Sequence, residues 1–262
     1  MRDSLAPMEP GSPFLVTGGA SGIGLAIARR LVRREACVAI CGRNRAAIEQ
    51  ATKALQAEHR KVGSVVGITA DLAGASDPER VVDECVRAFG SIRGLVNNAG
   101  ISTEIALINM SAKSWDETLH INLRAAALAS AAAVKQMIAD GRGGRIVQIA
   151  SINAFTSEAA YAHYSASKAG LVSLAQSMAI EHAKDGIVTN AVAPGWVRTR
   201  MTESALNAMG SRELRRINPS GRAATPDEIG AVVEFLCFDA PSFLIGETIV
   251  VDGGQSITAP LP

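Results

Sequence analysis

Both tyrosines of the chain lie in one short segment, YAHYSASK, at residues 161–168. Tyr164 precedes Lys168 by four positions and Tyr161 precedes it by seven, so on an α-helix either phenol shares a face with the lysine. A free phenol has a pKa of about 10, and an ammonium group one helical turn away lowers that pKa by stabilising the phenolate. The segment therefore predicts a tyrosine that exchanges protons near neutral pH, and helical spacing alone leaves both tyrosines open.

A serine precedes this pair at the end of an apolar run, GRIVQIAS, which finishes at Ser151. Open α/β sheets bind ligands at the carboxyl ends of their strands, and a serine hydroxyl there can hold a substrate oxygen. Serine, tyrosine and lysine together suit hydride exchange between a nicotinamide and a carbonyl or alcohol group, because the developing alkoxide needs a proton donor.

A glycine-rich turn, TGGASGIG at residues 17–24, joins the first apolar run to an amphipathic stretch. Glycines let the backbone approach a pyrophosphate closely, and the N-terminus of the following helix supplies N–H groups and a positive dipole end. The spacing Gly-x-x-x-Gly-x-Gly differs from the Gly-x-Gly-x-x-Gly of the general dinucleotide fingerprint. Its position, after a strand and before a helix, favours a dinucleotide site.

The ends of the next two apolar runs bear on the type of dinucleotide. An acidic residue at the second strand end holds the ribose 2′-hydroxyl of NAD, whereas an arginine suits the 2′-phosphate of NADP. Here the run ends in Gly42-Arg43-Asn44-Arg45 without a carboxylate, which favours NADP(H) and leaves NAD(H) as the alternative if the arginines only begin a solvated helix. At the third strand end, Asp71 either accepts from the adenine amino group or caps the next segment.

Seven apolar runs alternate with amphipathic stretches along the chain. Each run has the length of a buried strand, and helices are predicted over 23–34, 45–60, 77–89, 114–140, 165–184 and 226–238. This alternation predicts an α/β fold of the Rossmann-like, doubly wound type, with a mostly or fully parallel sheet of about seven strands and helices on both faces. The runs are PFLVTG, ACVAICG, GSVVGITAD, GLVNNAG, GRIVQIAS, GIVTNAVAPG and ETIVVDGG.

We predict a single domain over residues 13–262, preceded by a loose tail at residues 1–12 that carries three turn-formers and no hydrophobic period. Residues 195–224 interrupt the strand–helix alternation. We expect this segment to form a lid over the site, with short helical pieces at 202–208 and 212–216.

Composition excludes several other classes of protein. Apolar residues make up 48% of the 262, which is typical of a globular chain, and the net charge of +1 argues against a nucleic-acid binder. No apolar h-region follows Met1, and the longest apolar stretch, residues 125–134, is too short to span a bilayer. The four cysteines and four histidines lack metal-site spacing. We therefore expect a cytoplasmic protein that binds no nucleic acid, membrane or metal.

A set of short motifs in this order resembles the short-chain dehydrogenase/reductase family, in its single-domain, carbonyl-reducing subgroup. The similarity runs from about residue 14 to residue 256 and includes the closing VDGG at 251–254. It implies an NAD(P)-dependent oxidoreductase with a small-molecule carbonyl or alcohol substrate. The motifs are Gly18-x-x-x-Gly22-x-Gly24, Asn97-Asn98-Ala99-Gly100, Asn122, Ser151, Tyr164-x-x-x-Lys168 and Pro194-Gly195.

The resemblance assigns a role to each candidate catalytic residue. It implies that Tyr164 is the general acid/base, that Lys168 lowers its pKa and binds the nicotinamide ribose, and that Ser151 orients the substrate. Asn122 would hold a water in the proton relay to Lys168. With Tyr164 and Lys168, the predicted dinucleotide-binding residues are Gly18, Ser21, Gly22, Ile23, Gly24, Arg43, Asn44, Asp71, Leu72, Asn98, Ala99, Gly100, Pro194, Gly195, Val197 and Thr199.

The choice between the two tyrosines follows from the serine. Divergent enoyl reductases of the same superfamily use a Tyr-x6-Lys spacing, which Tyr161 and Lys168 satisfy, but they lack a serine at the position of Ser151. Ser151 lies 13 residues before Tyr164, as in the carbonyl-reducing members. Tyr164 is therefore the predicted acid, and Tyr161 is placed in the wall of a substrate pocket with Ser151, Phe155 and Trp196.

The substrate and the assembly are predicted less directly. GRAATPDEIG and GETIVVDGG resemble the 3-oxoacyl-ACP reductase branch, which makes a 3-oxoacyl thioester the leading substrate. The alternatives are an NAD-dependent sugar, polyol or xenobiotic alcohol dehydrogenase and, in a different class, a non-catalytic dinucleotide sensor or scaffold. The small-sided stretch AAALASAAAV suits close helix packing, and the resemblance implies helices paired between subunits. We expect a homo-oligomer, either a tetramer or a dimer.

Overall fold

The computed structural model describes residues 8–58 and 64–257, which contain one sheet of seven parallel strands. The strands are β1 (Pro13–Thr17), β2 (Cys37–Gly42), β3 (Val65–Thr69), β4 (Gly94–Asn97), β5 (Gly144–Ile149), β6 (Ile187–Pro194) and β7 (Thr248–Val251). Their order is β3-β2-β1-β4-β5-β6-β7. Strands β2 and β3 are added on one side of β1, and strands β4 to β7 are added on its other side, so the order of addition reverses between β1 and β4. The predicted Rossmann-like, doubly wound parallel sheet is confirmed.

Helices connect the strands in the described part of the chain, and they pack on both faces of the sheet. They are α1 (Gly22–Arg33), α2 (Arg45–Glu58), α3 (Asp77–Phe89), α4 (Ala112–Leu119), α5 (Ala125–Asp140), α6 (Ala162–His182), α7 (Glu203–Ile217) and α8 (Pro226–Phe238). The last two residues of the predicted helix 45–60 lie outside the described residues.

Alternate side chains of the central strand β1 pack into two apolar cores, one on each face of the sheet. Phe14 and Val16 pack in one core with Leu31 of α1, whereas Leu15 packs in the opposite core with Val81 of α3. These side chains are fully buried, and each contributes about 1.5–3 kcal/mol through removal from water. A strand buried on both faces explains the continuous apolar run PFLVTG, because neither face meets solvent.

The predicted helix 114–140 is interrupted in the structure. Helices α4 and α5 are joined by a π-helical segment, His120–Arg124, centred on Asn122. The Asn122 side chain accepts a hydrogen bond from the backbone N–H of Ile101 at 2.8 Å and donates to the carbonyl of the same residue at 2.9 Å. This link to a loop 21 residues earlier widens the helix at one turn, and such bulges are frequent at functional sites.

The segment at 195–224, predicted as a lid, contains α7. Gly210 interrupts this helix with φ 70° and ψ 169°, so two helical pieces lie on either side of it, close to the predicted pieces. Two backbone hydrogen bonds join the two ends of this segment. The N–H of Arg198 donates to the carbonyl of Ala224, and the N–H of Ala224 donates to the carbonyl of Trp196, each at 2.8 Å.

Residues 8–12 do not form the loose tail that was predicted. The N–H of Gly11 donates to the carbonyl of Glu35 at 2.8 Å, and the hydroxyl of Ser12 accepts from the N–H of Glu9 at 3.1 Å, so this stretch is fastened to the end of α1 and leads into β1. Residues 1–7 of the predicted tail lie outside the described residues. Among the helices that the structure describes, none has the length and apolar character required to cross a membrane.

Candidate active site

The glycine-rich turn lies at the reversal point between β1 and β4. Gly18 and Gly22 have φ of +64° and +53°, values that side chains rarely adopt. A Cβ on Gly24 would lie 2.3 Å from the carbonyl oxygen of Gly18, so only glycine lets α1 start this close to the turn. Gly24 was predicted to bind the dinucleotide, but the structure places it beneath the turn, where it shapes the site without lining a cavity.

The segment NNAG is fastened to this turn through Thr17 and Asn98. The Thr17 hydroxyl accepts from the backbone N–H groups of Asn98 and Ala99 at 2.9 and 3.0 Å. The Asn98 side chain donates to the carbonyls of Thr17 and Gly18 at 2.9 and 3.2 Å. These bonds hold the ends of β1 and β4 together and form one rigid wall of the site.

A cavity of about 420 Å³, here called the nicotinamide cavity, opens along this wall toward the end of β6. It is lined by the turn, by the NNAG segment, by the end of β5 and by the first turns of α6 and of the lid. Among the predicted residues, it brings together Gly18, Ser21, Gly22, Ile23, Arg43, Asn98, Ala99, Gly100, Ser151, Tyr164, Lys168, Pro194, Gly195, Val197 and Thr199.

A neighbouring cavity of about 290 Å³, here called the adenine cavity, lies over the ends of β2 and β3. The predicted residues Asn44, Asp71 and Leu72 line it. The Asp71 carboxylate accepts from the N–H of Ala73 at 3.2 Å, and the residue also lines the cavity, so its bond to the next segment leaves the adenine role possible. Arg43 lines both cavities, which therefore form one continuous groove.

Arg200 also lines both cavities, although no motif predicted it. It belongs to the lid, next to Thr199, which packs against Gly22 so closely that a Cβ on that glycine would lie 3.3 Å from the threonine methyl. Within the part of the chain that the structure describes, neither Arg43 nor Arg200 forms an ion pair. Two cationic groups thus line the groove without forming an ion pair among the described residues.

The groove suits a dinucleotide. The N-cap residue of α1, Ser21, makes no side-chain cap, and the first turn of the helix has no acidic residue, so its N–H groups are available to an anion. The glycines leave room for backbone approach, and the arginines add positive charge. Gly18, Ser21, Gly22 and Ile23 would hold a pyrophosphate, and Asn44, Asp71 and Leu72 would surround an adenosine.

Tyr164 and Lys168 project from α6 toward the nicotinamide cavity. The Nζ atom of Lys168 donates to the carbonyl of Ile149 at 2.8 Å and lies 5.6 Å from the centroid of the Tyr164 ring. Burial lowers the pKa of Lys168 to about 8. Burial raises the pKa of Tyr164, while a hydrogen bond with Ser151 acts in the opposite direction.

The pKa of Tyr164 is raised, whereas the sequence predicted that Lys168 would lower this pKa. Two physical reasons account for the difference. The phenol is removed from water, which penalises the phenolate, and the lysine ammonium is directed at the Ile149 carbonyl instead of the phenol oxygen. The protein's own groups therefore keep Tyr164 protonated at neutral pH, which suits a proton donor.

Asn122 lies behind the nicotinamide cavity and does not line it. A Cβ on Gly100 would be 3.2 Å from Asn122 Oδ1 and 3.6 Å from Lys168 Nζ, so the asparagine and the lysine meet at this glycine. The Asn122 amide also donates to the hydroxyl of Ser167 at 3.0 Å. Asn122 thus joins α6 to the loop at residue 101 and fixes the position of the helix that carries Tyr164.

A smaller cavity of about 130 Å³, here called the substrate cavity, lies beyond Tyr164 and Ser151 under the lid. Tyr161 and Trp196, both assigned to a substrate pocket from the sequence, line this cavity. Phe155 does not: it is 55% exposed and lines none of these three cavities, because it lies after the turn at 152–154, outside the cavity wall. The residues that sequence reasoning missed here include Asn153, Glu158 and Gln255.

The two tyrosines are placed differently relative to these cavities. Tyr164 lines both the nicotinamide cavity and the substrate cavity, whereas Tyr161 lines only the latter. Their rings meet edge to face with centroids 6.4 Å apart. Burial raises the pKa of Tyr161, with the charges of Glu104 and Glu158 acting in the same direction. Of the two tyrosines, only Tyr164 lies at the junction of the two cavities.

No group of three or more His, Cys, Asp or Glu side chains within residues 8–58 and 64–257 is placed to hold a metal ion. The four cysteines are free thiols. Burial raises the pKa of three of them, Cys41, Cys85 and Cys237, to about 12, so they are inert apolar groups at neutral pH.

Comparison with known proteins gives a consistent family. Residues 18–256 match the family described as enoyl-(acyl carrier protein) reductase. A 3-oxoacyl-[acyl-carrier-protein] reductase of Aquifex aeolicus is 35% identical and covers 94% of this chain and 97% of its own. An L-rhamnose 1-dehydrogenase (NAD(P)(+)) of Azotobacter vinelandii is 36% identical and covers 92% and 94%.

Solved structures agree with these relatives. A protein of Beutenbergia cavernae, for which NAD(P)-dependent gluconate 5-dehydrogenase activity has been suggested, was crystallised with NADP bound at low occupancy. It is 36% identical to this chain, covers 97% of it and 99% of its own length, and superimposes with a TM-score of 0.87.

Proposed function

This chain belongs to the short-chain dehydrogenase/reductase family, and we propose that it transfers a hydride between NADP(H), in preference to NAD(H), and a ketone or secondary alcohol. The observation that carries the proposal is the position of Tyr164 and Ser151. Both line the nicotinamide cavity and the substrate cavity, with Lys168 beside the phenol, so a substrate oxygen at their junction meets a proton donor and a hydroxyl.

The proposed mechanism uses this chain's own groups around that oxygen. The dinucleotide supplies or accepts the hydride when bound. In reduction, the Ser151 hydroxyl orients the substrate oxygen and Tyr164 donates its proton to it. Lys168, mainly an ammonium at neutral pH with a pKa of about 8, then stabilises the phenolate that remains. Asn122 acts as a positioning residue through its bonds to Ile101 and Ser167.

Carbonyl chemistry is proposed although the matched family is described as an enoyl reductase. The support is Ser151, which lines the same two cavities as Tyr164. A carbonyl or alcohol oxygen requires such a pair of hydrogen-bonding groups at one point.

The cofactor preference rests on Arg43. It lines both the nicotinamide and adenine cavities, it forms no ion pair within the described residues, and no carboxylate follows β2. A bidentate guanidinium suits a 2′-phosphate. Arg200 adds positive charge from the lid side of the same groove, where it would face the phosphates.

For the substrate, two classes follow from the sequence and the relatives. A 3-oxoacyl thioester was favoured by GRAATPDEIG and GETIVVDGG, but neither segment lines the substrate cavity: the first begins α8 and the second forms β7. The lid arginines do not line it either, and Arg216 pairs with Glu213 at 2.7 Å. The alternative class, a sugar or polyol, has relatives of equal identity, such as the L-rhamnose dehydrogenase.

We also propose a homo-oligomer, a dimer or tetramer, located in the cytoplasm. One side of the alanine-rich stretch of α5, with Ala125, Ala129 and Ala133, is buried in the core of the chain, whereas Ala127 and Ala131 on the other side are not buried. Exposed small side chains also lie on α6, at Ala162, Ala166 and Ala169.

The test of the proposed function is a coupled screen of ketones, secondary alcohols and 3-oxoacyl thioesters, read as the change in nicotinamide absorbance with NADP(H) and with NAD(H). We expect turnover of at least one carbonyl–alcohol pair. A chain that binds the dinucleotide tightly and turns over none of the panel would instead be a sensor or scaffold.

A further inference from the structure

A line of polar atoms leads away from the point where the substrate oxygen would react. The Ser151 hydroxyl accepts from the N–H of Asn153 at 3.2 Å and lies 3.5 Å from Asn153 Oδ1. The side-chain amide of Asn153 in turn donates to Glu158 Oε2 at 3.4 Å. Ser151, Asn153 and Glu158 therefore line one side of the substrate cavity in sequence, starting at the reacting oxygen.

Resting on the proposed function, we infer that the substrate is a neutral polyhydroxylated compound, a polyol or sugar, whose hydroxyl on the carbon next to the reacting one is bound by Asn153 and Glu158. A carboxylate only accepts hydrogen bonds, and a side-chain amide both donates and accepts. This pair therefore recognises a hydroxyl, which can donate to Glu158 while it accepts from Asn153.

The other side chains that line the substrate cavity are also mainly polar. Most ligand pockets are predominantly apolar with a few polar groups. Here polar side chains are at least as numerous as apolar ones, and the volume of about 130 Å³ suits a small substrate better than a long acyl chain. Besides the line of three, the polar side chains are Ser102, Tyr161, Tyr164, Thr202 and Gln255, and the apolar ones are Ile152, Trp196, Met201 and Ala205.

The charge of the cavity disfavours anionic substrates. Glu158 is the one ionic side chain among the described residues that line it, and no lysine or arginine lines it. A carboxylate at this position repels carboxylates and phosphates, including those of an acyl carrier. A second carboxylate, Glu104, acts on Tyr161 from outside the cavity and adds to the negative potential.

The reaction of such a substrate is balanced with the groups named. In the oxidation, Tyr164 first releases its own proton to solvent; the carbinol carbon then gives a hydride to the oxidised dinucleotide and the hydroxyl gives its proton to the Tyr164 oxygen. A ketone and the reduced dinucleotide result. The neighbouring hydroxyl is unchanged, and it serves only to hold the carbinol carbon in place.

The inference is tested with four-carbon alcohols: a tetritol, and three compounds that carry no hydroxyl on the carbon next to the carbinol carbon, namely 2-butanol, 3-amino-2-butanol and 3-hydroxybutyrate. Steady-state kcat/KM is measured for each with the parent, with Glu158→Ala and with Glu104→Ala as the matched control. We expect the parent to prefer the tetritol to 2-butanol by about 10- to 100-fold, the range of a hydrogen bond to a charged group. Glu158→Ala should reduce this ratio to near one, whereas Glu104→Ala should preserve it.

Other outcomes overturn the inference. A parent that prefers 2-butanol, the amino alcohol or the hydroxy acid, or a Glu158→Ala variant that keeps the tetritol preference, contradicts it while the proposed function stands. Failure to oxidise any secondary alcohol, with dinucleotide binding intact by fluorescence, would overturn the proposed function as well.

Discussion

At the scale of single residues, Arg43 is the first position after β2 and lies at the dinucleotide groove. Several surface arginines of this chain pair with carboxylates, as Arg45 does with Glu49 at 2.8 Å. Arg43, two positions earlier, has no such partner in the described residues and lines both dinucleotide cavities. Because a guanidinium held beside a groove without a counterion favours an anionic ligand, Arg43 is the residue on which cofactor choice depends.

Replacement of this arginine tests that role. Arg43→Gln should weaken NADPH binding by about 10- to 100-fold, the size of a lost charged hydrogen bond, and leave NADH binding nearly unchanged. Fluorescence titration of both dinucleotides measures this effect. Arg45→Gln is the matched control, because Arg45 is exposed and paired, and it should bind both as the parent does. Equal affinity of Arg43→Gln and the parent for NADPH would disprove the role.

Lys168 illustrates the cost of placing a charge in the site. Its pKa is about 8 in the folded chain against 10.5 in the unfolded one, because burial penalises the ammonium. The unfolded state therefore binds more protons between these values, and the stability of the parent rises as the pH rises from 8 to 10.5. Below pH 8 the full penalty remains, about 3 kcal/mol before the hydrogen bond to Ile149 is counted.

Lys168→Met should accordingly be inactive and yet more stable than the parent at pH 7. The expected gain in the free energy of unfolding is about 2 kcal/mol, since about 1 kcal/mol is lost with the bond to the Ile149 carbonyl. Urea unfolding at pH 7 and pH 10 measures this difference, which should shrink at the higher pH. Lys135→Met, on the exposed face of α5, should show no such trend. A Lys168→Met variant less stable than the parent at both pH values would contradict the assignment.

At the scale of elements, the seven apolar runs predicted the strands because a strand buried on both faces leaves a continuous apolar signature. The interruption at His120–Arg124 left no such signature. It depends on bonds from Asn122 to Ile101 and Ser167, which lie far away in sequence and meet only in the folded chain. Sequence reasoning therefore predicted one helix where the structure has two with a π-helical joint.

The substrate side was predicted less well than the dinucleotide side for a related reason. Glycine turns and strand ends are local features, whereas the substrate cavity is assembled from a loop, the lid and the C-terminal segment. Glu158 and Gln255 come from two of these, and no spacing rule connects them. Phe155 was predicted to line the substrate cavity and does not. The path of the loop after 152–154, and not its composition, decides which side chains reach the cavity.

The lid helix α7 owes its shape to Gly210. Its φ of 70° and ψ of 169° lie in a region that essentially only glycine occupies, and substitution costs about 1–3 kcal/mol. A Cβ there would meet no neighbour within 4 Å, so the penalty of Gly210→Ala is backbone strain alone. We expect this variant to raise KM for the substrate, to increase proteolysis within 203–217 and to lower Tm by a few degrees. The neighbouring exposed Ser211→Ala is the control, and identical kinetics for both variants would argue against the lid role.

At the scale of the whole molecule, the parallel sheet places every candidate group at one edge. The glycine turn follows β1, Arg43 follows β2, Asp71 follows β3, and Ser151 follows β5, as expected for carboxyl ends of parallel strands. Residues spread over more than 130 positions therefore meet in one groove. This convergence explains why ordered motifs predicted the site although each motif alone is common.

The proposed oligomer makes its own prediction. Ala166 lies in the exposed stripe of small residues on α6, and a large cation there would prevent close packing of two such helices. Ala166→Arg should sediment as a smaller species than the parent in analytical ultracentrifugation, while Gln50→Arg, on exposed α2, should sediment like the parent. A parent that is monomeric at micromolar concentration would refute the oligomer.

The assignment of Tyr164 as the proton donor is the central claim, and Tyr164→Phe tests it most directly, because this change removes only the hydroxyl. The measurement is kcat/KM for a carbonyl–alcohol substrate identified by the coupled screen, together with the dissociation constant for NADPH. We predict a loss of at least about 100-fold in kcat/KM, as is typical for removal of a general acid, with NADPH binding nearly unchanged. Turnover by Tyr164→Phe at the parent's rate would contradict it.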